Sequence, residues 1–179
     1  EGLFGRRMGI IGVGDIGIAT AARASAFGID VVAVTKPGRS DLAVARAEAA
    51  DITFVDTLDE LLATSDIVSL HVPGSTDTKG MVDAAFLAKM KDGAVLLNTS
   101  RGDVVDEAAL IDAMDNRSMR AGLDVYANEP GSGTAEFDST LAKHLSVVGT
   151  HHVGASTNQA QAAVTDGTID TVQAYRAGE

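Results

Sequence analysis

The chain contains no cysteine, which excludes disulfides and thiolate metal sites. No apolar run approaches the ~20 residues that a membrane-spanning helix needs. The segment Glu1 to Arg7 lacks the apolar stretch of a secretory signal. Basic residues are scarce, 14 against 25 acidic, for a formal net charge of −11. A surface of that sign repels phosphate backbones, so no nucleic acid partner is expected. No Tyr-x-x-x-Lys pair exists, because Tyr126 leads to Pro130 and Tyr175 to Glu179. That excludes a dinucleotide enzyme of the short-chain type. The expectation left standing is a cytoplasmic protein with a small-molecule partner, no membrane association and no metal.

What is present reads as one domain, residues 1–179, with 45% hydrophobic and 22% charged residues, enough to bury a full core. Short apolar runs alternate with stretches of helical period. The predicted strands are Met8–Val13, Ile29–Val34, Ile52–Val55, Ile67–Val72, Ala94–Asn98, Arg120–Val125 and Leu145–Val148. The predicted helices are Ala19–Phe27, Asp41–Ala50, one opened by the capping box Thr57-Leu58-Asp59-Glu60, Asp83–Met90, Asp106–Asp115 and Asn158–Arg176. Residues 128–134, rich in Gly, Pro and Ser, read as a loop. Alternating strands and helices, with strands apolar on both faces, predict an α/β Rossmann-type doubly wound parallel sheet.

Gly12-Val13-Gly14-Asp15-Ile16-Gly17 fits G-x-G-x-x-G, and it follows a strand and opens a helix. Gly12 permits the tight turn, Gly14 lets the backbone approach a pyrophosphate, and Gly17 lets helix and strand pack closely. The free N–H groups of the helix start then face the anion. The Asp15 side chain is expected to point to solvent, since its charge opposes a phosphate. An acidic residue that binds the ribose of NAD would stand about 20 residues on. Here that position falls at Thr35, and no carboxylate follows until Asp41. Lys36 and Arg39 place positive charge there instead, which favours NADP over NAD. The alternative is a solvated pair of loop cations beside an NAD site.

Three further motifs name a family. Leu97-Asn98-Thr99-Ser100-Arg101-Gly102-Asp103-Val104-Val105-Asp106, Ala121-Gly122-Leu123-Asp124-Val125-Tyr126-Ala127-Asn128-Glu129-Pro130 and Thr150-His151-His152-Val153-Gly154-Ala155-Ser156-Thr157 resemble the arginine, glutamate and histidine motifs of D-2-hydroxyacid dehydrogenases. Leu70-His71-Val72-Pro73 is similar to that family's cofactor-edge strand. The resemblance runs from Gly5 to Gln161, and its histidine motif is most like that of D-3-phosphoglycerate dehydrogenases.

The resemblance implies a hydride transfer between NADP or NAD and C2 of a 2-hydroxy or 2-keto acid. His152 would be the general base, titrating near the working pH. Glu129 would bond its other ring nitrogen and fix the tautomer. Arg101 would bind the substrate carboxylate in its planar fork. His151 is the rival base, but His152 is the one adjoining Val153-Gly154. The cofactor would be lined by Gly12, Gly14, Asp15, Ile16, Gly17, Thr35, Lys36 and Arg39, and by His71, Val72, Pro73, Thr78, Thr99, Ser100, Asp124, His152 and Gly154. Asp124 is expected on the nicotinamide side.

Members of the family also carry a second, substrate-binding domain, to which nothing here corresponds. The chain therefore reads as a cofactor domain alone, with little activity by itself and a partly apolar exposed face. A homodimer through the cofactor domain is implied. Two alternatives stay open: an NADPH-using glyoxylate or hydroxypyruvate reductase, and a dinucleotide-sensing corepressor-like binding protein.

Overall fold

The computed structural model describes residues 2–131 and 136–178. In chain order the strands are β1 (Arg7–Ile11), β2 (Asp30–Val34), β3 (Ile52–Val55), β4 (Ile67–Leu70), β5 (Val95–Asn98), β6 (Arg120–Leu123) and β7 (Val147–Gly149). Between them lie α1 (Asp15–Ala26), α2 (Asp41–Glu48), α3 (Leu58–Thr64), α4 (Ala84–Lys89) and α5 (Glu107–Arg117), and α6 (Asn158–Ala177) follows. The sheet order is β3-β2-β1-β4-β5-β6-β7, and every neighbouring pair is parallel. This is the doubly wound Rossmann-type sheet the sequence predicts.

The strands are apolar runs because both faces are covered. Met8, Ile10, Val31 and Ala33 pack under α1 and α2 with Ala21, Ala24 and Ala47. Val32, Val68, Leu70 and Leu96 pack on the other face with Leu61, Leu87, Leu110 and Met114. Small alanines on α1 let that helix lie close to the sheet. The chain winds outward from β1 to β3, then returns to lay β4 on the other side of β1. At that reversal a crevice opens beyond the carboxyl ends of β1 and β4, where doubly wound folds bind ligands.

Boundaries differ from the sequence reading in a few places. β1 stops at Ile11 rather than Val13, because Gly12 turns into the left-handed region at φ 102°. α1 starts at Asp15 rather than Ala19, so the end of the glycine turn is already helix. β4 ends at Leu70 and β6 at Leu123, each two residues before the predicted ends, where the chain leaves the sheet to build the site. The capping box is present in modified form. Thr57 Oγ1 accepts from Glu60 N at 3.1 Å, but the Glu60 carboxylate reaches Asp56 N at 3.3 Å, one residue before the cap. A 3-10 turn at Gly102–Val104 was not predicted. The predicted loop 128–134 is described through Gly131, and its remainder lies outside the described residues. None of the residues of α6 is buried, and Val164, Val172 and Tyr175 are exposed apolar side chains on it.

Candidate functional site

The glycine turn is sterically fixed. A Cβ on Gly12 would stand 2.3 Å from the His71 carbonyl oxygen, and one on Gly17 would stand 2.1 Å from the Gly12 carbonyl oxygen. Gly14 faces open space. Gly14 is also the N-cap of α1 and supplies no side-chain acceptor. The other described α-helices are capped by Ser40, Thr57, Asp83, Asp106 and Thr157. The start of α1 thus keeps its N–H groups and the positive end of its dipole for an external partner. An open glycine and an uncapped 12-residue helix fit a pyrophosphate, as the sequence reading requires.

The turn borders a cleft of about 740 Å³ lined by Gly12, Val13, Gly14, Thr35, Lys36, Arg39, His71, Val72, Pro73 and Thr78, among others. Nine of the predicted cofactor residues therefore share one cavity: Gly12, Gly14, Thr35, Lys36, Arg39, His71, Val72, Pro73 and Thr78. Thr78 Oγ1 donates to the Pro73 carbonyl at 2.6 Å and shapes the floor of that wall. The His71 ring lies 2.9 Å from Ser69 Oγ, and burial pushes its pKa below the ordinary 6.5, which favours the neutral ring. Asp15 and Ile16 do not line this cleft. The Asp15 carboxylate is exposed, as expected, but it pairs with Arg46 on α2 at 2.6 Å, and Ile16 is 70% exposed.

No carboxylate stands at the end of β2. Thr35 donates its N–H to the Val55 carbonyl at 2.8 Å. Arg39 stacks its guanidinium on Phe54, 4.6 Å from the ring centroid, which restrains a side chain that would otherwise be mobile. Phe54 was not singled out from the sequence, because a lone aromatic in a strand reads as core. Lys36 is exposed.

The catalytic candidates sit beyond β5, β6 and β7. Asn98, 1% exposed, organises the arginine turn. Its Oδ1 accepts Ser100 N at 3.0 Å and Ser100 Oγ at 2.8 Å, and its Nδ2 donates to the Arg101 carbonyl at 2.9 Å. Ser100 is thereby turned inward and buried, while Thr99 and Arg101 are exposed. The Arg101 stem passes Gly74, whose added Cβ would lie 3.1 Å from Arg101 Cγ, beside the segment that leaves β4 through Pro73. The next residue, Gly102, packs directly on the Tyr126–Ala127 peptide, where a Cβ would stand 2.0 Å from the Tyr126 carbonyl. The arginine and glutamate loops are therefore in contact.

Glu129 and His152 meet as predicted. His152 Nδ1 lies 2.7 Å from Glu129 Oε2. A carboxylate only accepts, so Nδ1 carries the proton of this bond. The other Glu129 oxygen accepts the Tyr126 N–H. Among the described residues nothing comparable holds His151, which is exposed.

His152 has φ 59°, a left-handed backbone conformation that costs a non-glycine residue about 1–2 kcal/mol. Asp124 imposes it. Its carbonyl accepts His152 N at 2.7 Å. Its carboxylate, 6% exposed, accepts Thr150 Oγ1 at 2.5 Å and the N–H groups of Val153 and Gly154 at 2.9 Å each. Burial acts to raise the Asp124 pKa, but these hydrogen bonds and the nearby His152 outweigh it and hold the carboxyl below its ordinary 3.8. Asp124 was expected to face the nicotinamide. Both its oxygens engage the histidine loop, and Gly154 is part of that grip. The sequence reading missed Asn98, Tyr126, Thr150 and Glu107 as supports. Tyr126 is buried, and burial followed by Glu107, Asp124 and Glu129 raises its hydroxyl pKa.

Among the described residues no cluster could hold a metal ion, and no helix is long and apolar enough to cross a membrane. Residues 1–154 match the family model for the D-isomer specific 2-hydroxyacid dehydrogenase, NAD binding domain. A D-3-phosphoglycerate dehydrogenase of Mycobacterium leprae is 41% identical over 179 residues, covering 99% of this chain and 32% of that protein. A hydroxypyruvate reductase of Thermotoga maritima is 41% identical over 162 residues, covering 89% of this chain and 49% of that protein. The solved D-lactate dehydrogenase of Aquifex aeolicus, complexed with NAD and lactic acid, superposes with a TM-score of 0.81 at 31% identity, covering 99% of this chain and 55% of that one. The chain thus spans about a third to a half of the length of these relatives. It belongs to the D-isomer specific 2-hydroxyacid dehydrogenase family, as that family's NAD-binding domain.

Proposed function

We propose that this chain is the cofactor half of a dehydrogenase that interconverts a 2-hydroxy acid and its 2-keto acid, with NADP preferred to NAD. The observation that carries the catalytic part is the 2.7 Å Glu129–His152 pair, with the arginine turn packed through Gly102 on the loop that carries Glu129. The dinucleotide supplies a hydride acceptor or donor at its nicotinamide ring. The chain's own residues do the rest. The start of α1 and Gly14 hold the pyrophosphate. Arg101 binds the substrate carboxylate in two parallel hydrogen bonds and draws charge toward the C2 oxygen. His152 Nε2 takes the hydroxyl proton during oxidation and returns it during reduction. Glu129, facing the proton on Nδ1, stabilises the ring while both nitrogens are protonated.

For the cofactor, Thr35 presents no charge that repels a 2′-phosphate, while Lys36 and the stacked Arg39 line the same cleft. Each well-made bond from such a cation contributes about 1.5–3 kcal/mol, less where solvent screens it. Calorimetric titration of the chain with both cofactors tests this. NADPH should bind more tightly, the gap should narrow with salt, and Thr35→Asp should reverse it. Equal or tighter NADH binding, indifferent to Lys36→Ala and Arg39→Ala, overturns it.

The substrate reading favours D-3-phosphoglycerate, supported by the 41% identity along 99% of the chain to the mycobacterial dehydrogenase of that name. The similarity to a hydroxypyruvate reductase supports hydroxypyruvate or glyoxylate as the second candidate. Nicotinamide absorbance with each acid, measured on a protein that joins this domain to a substrate-binding domain, decides between them, and such a protein that oxidises none of them while binding dinucleotide would favour a sensing role. The family resemblance also supports a cytoplasmic homodimer formed through this domain, and a monomer by light scattering refutes the dimer.

A further inference from the structure

Glu129 is set by a loop, and the loop by a residue outside the glutamate motif. Residues Tyr126 and Ala127 present consecutive N–H groups, and Asn128 follows at φ 59°. The Tyr126 N–H goes to Glu129 itself. The Ala127 N–H goes to Glu107 Oε1 at 2.7 Å, across 20 residues of sequence. Glu107 opens α5, where an acidic side chain ordinarily stays beside its own helix N–H groups. Those groups are already met: Asp106 Oδ1 accepts Ala108 N at 3.0 Å and Ala109 N at 3.1 Å. The Glu107 carboxylate is therefore released to reach the other loop. Gly102 packs on the same Tyr126–Ala127 peptide. One peptide plane is thus gripped from α5 and from the arginine turn, and it fixes where Glu129 sits relative to both Arg101 and His152.

We propose that Glu107 is a positioning residue for the general base: through the Ala127 N–H it sets the loop of Glu129, and through Glu129 it sets the tautomer of His152. The kinetic part rests on the dehydrogenase reading, whereas the structural part does not. The test is the ¹⁵N chemical shifts of the histidine rings in the whole chain, with His152 assigned from His152→Gln. Wild type should show one tautomer, protonated on Nδ1. Glu107→Ala should show a mixture of tautomers and faster exchange of the Ala127 amide, with the remaining amide dispersion retained. Glu107→Gln keeps an acceptor and should restore the single tautomer. Glu107→Met, which keeps the side-chain stem, reads the same point if the alanine variant is unstable. Where the protein turns over a 2-keto acid, kcat should fall on the order of 10- to 100-fold in Glu107→Ala with KM for the cofactor unchanged. An unchanged His152 tautomer in the variants without an acceptor overturns the positioning role whatever the activity. A tautomer shift here, together with no turnover of any 2-hydroxy acid by a protein that joins this domain to a substrate-binding domain, upholds it and overturns the dehydrogenase reading instead.

Discussion

Asp124→Asn alters the support of the histidine loop with almost no change of volume. In the native site one carboxylate oxygen accepts Thr150 Oγ1 at 2.5 Å and Val153 N at 2.9 Å, and the other accepts Gly154 N at 2.9 Å. All three partners are donors. An asparagine offers one oxygen and one NH2 group, so in either amide orientation a donor faces a donor. One backbone N–H, on an exposed residue, then loses its partner, which costs about 1 kcal/mol, and the remaining bonds lose their charge assistance, about 1 kcal/mol more. For a domain of 179 residues a loss of about 2 kcal/mol corresponds to a melting temperature about 4–8 °C lower. The amides of Val153 and Gly154 should lose hydrogen-exchange protection before the sheet does. The pH dependence gives a second check. The Asp124 pKa is depressed in the fold, so its stabilisation is full above the ordinary 3.8 and fades as pH falls through the lower folded value. The gap between wild type and variant should therefore close in strong acid. An unchanged melting temperature at neutral pH, with both amides still protected, would refute the clamp.

Gly17→Ala places a methyl group 2.1 Å from the Gly12 carbonyl oxygen, so α1 must lift from the turn. Stability should drop by about 1–3 kcal/mol and dinucleotide affinity at least tenfold by calorimetry, and wild-type affinity would contradict this steric account. His71 behaves oppositely to a paired histidine. Its pKa is lowered by burial, so below the ordinary 6.5 the unfolded chain takes up a proton that the fold resists. Stability should decline from pH 6.5 downward until the lower folded value is passed, and His71→Gln should flatten that part of the denaturation profile. A wild-type slope retained in His71→Gln assigns it to another group.

The sheet was legible because its signals are local. Continuous apolar runs and a glycine turn each declare themselves within a dozen residues, and the caps Asp106 and Thr57 mark helix starts in the same way. Errors fell where a residue's conformation overrides its composition. Val13 is apolar, yet Gly12 at φ 102° has already ended β1. The candidate catalytic set was legible through motif order, and the Glu129–His152 contact agrees with it. The supports were not, because their partners lie far along the chain: Glu107 reaches Ala127 across 20 residues, and Asp124 reaches Gly154 across 30. Asp124 illustrates the limit best. Its residue type and place at a strand end pointed to the cofactor, and only the fold shows that its carboxylate also holds three donors of the histidine loop.

The walls of the cofactor cleft are unequal in what they tolerate. Around Gly12 and Gly17 almost any substitution collides with backbone, so that wall is closed to variation. Residues 35–38 are exposed, and a side chain at Gly38 would meet only open space. Exchanges there fall among the surface substitutions that usually change stability by no more than about 0.5 kcal/mol. Selection for one nicotinamide cofactor or the other can therefore act on residues 35–38 almost independently of folding, and a lineage carrying this domain can drift between the two cofactors without passing through an unstable intermediate.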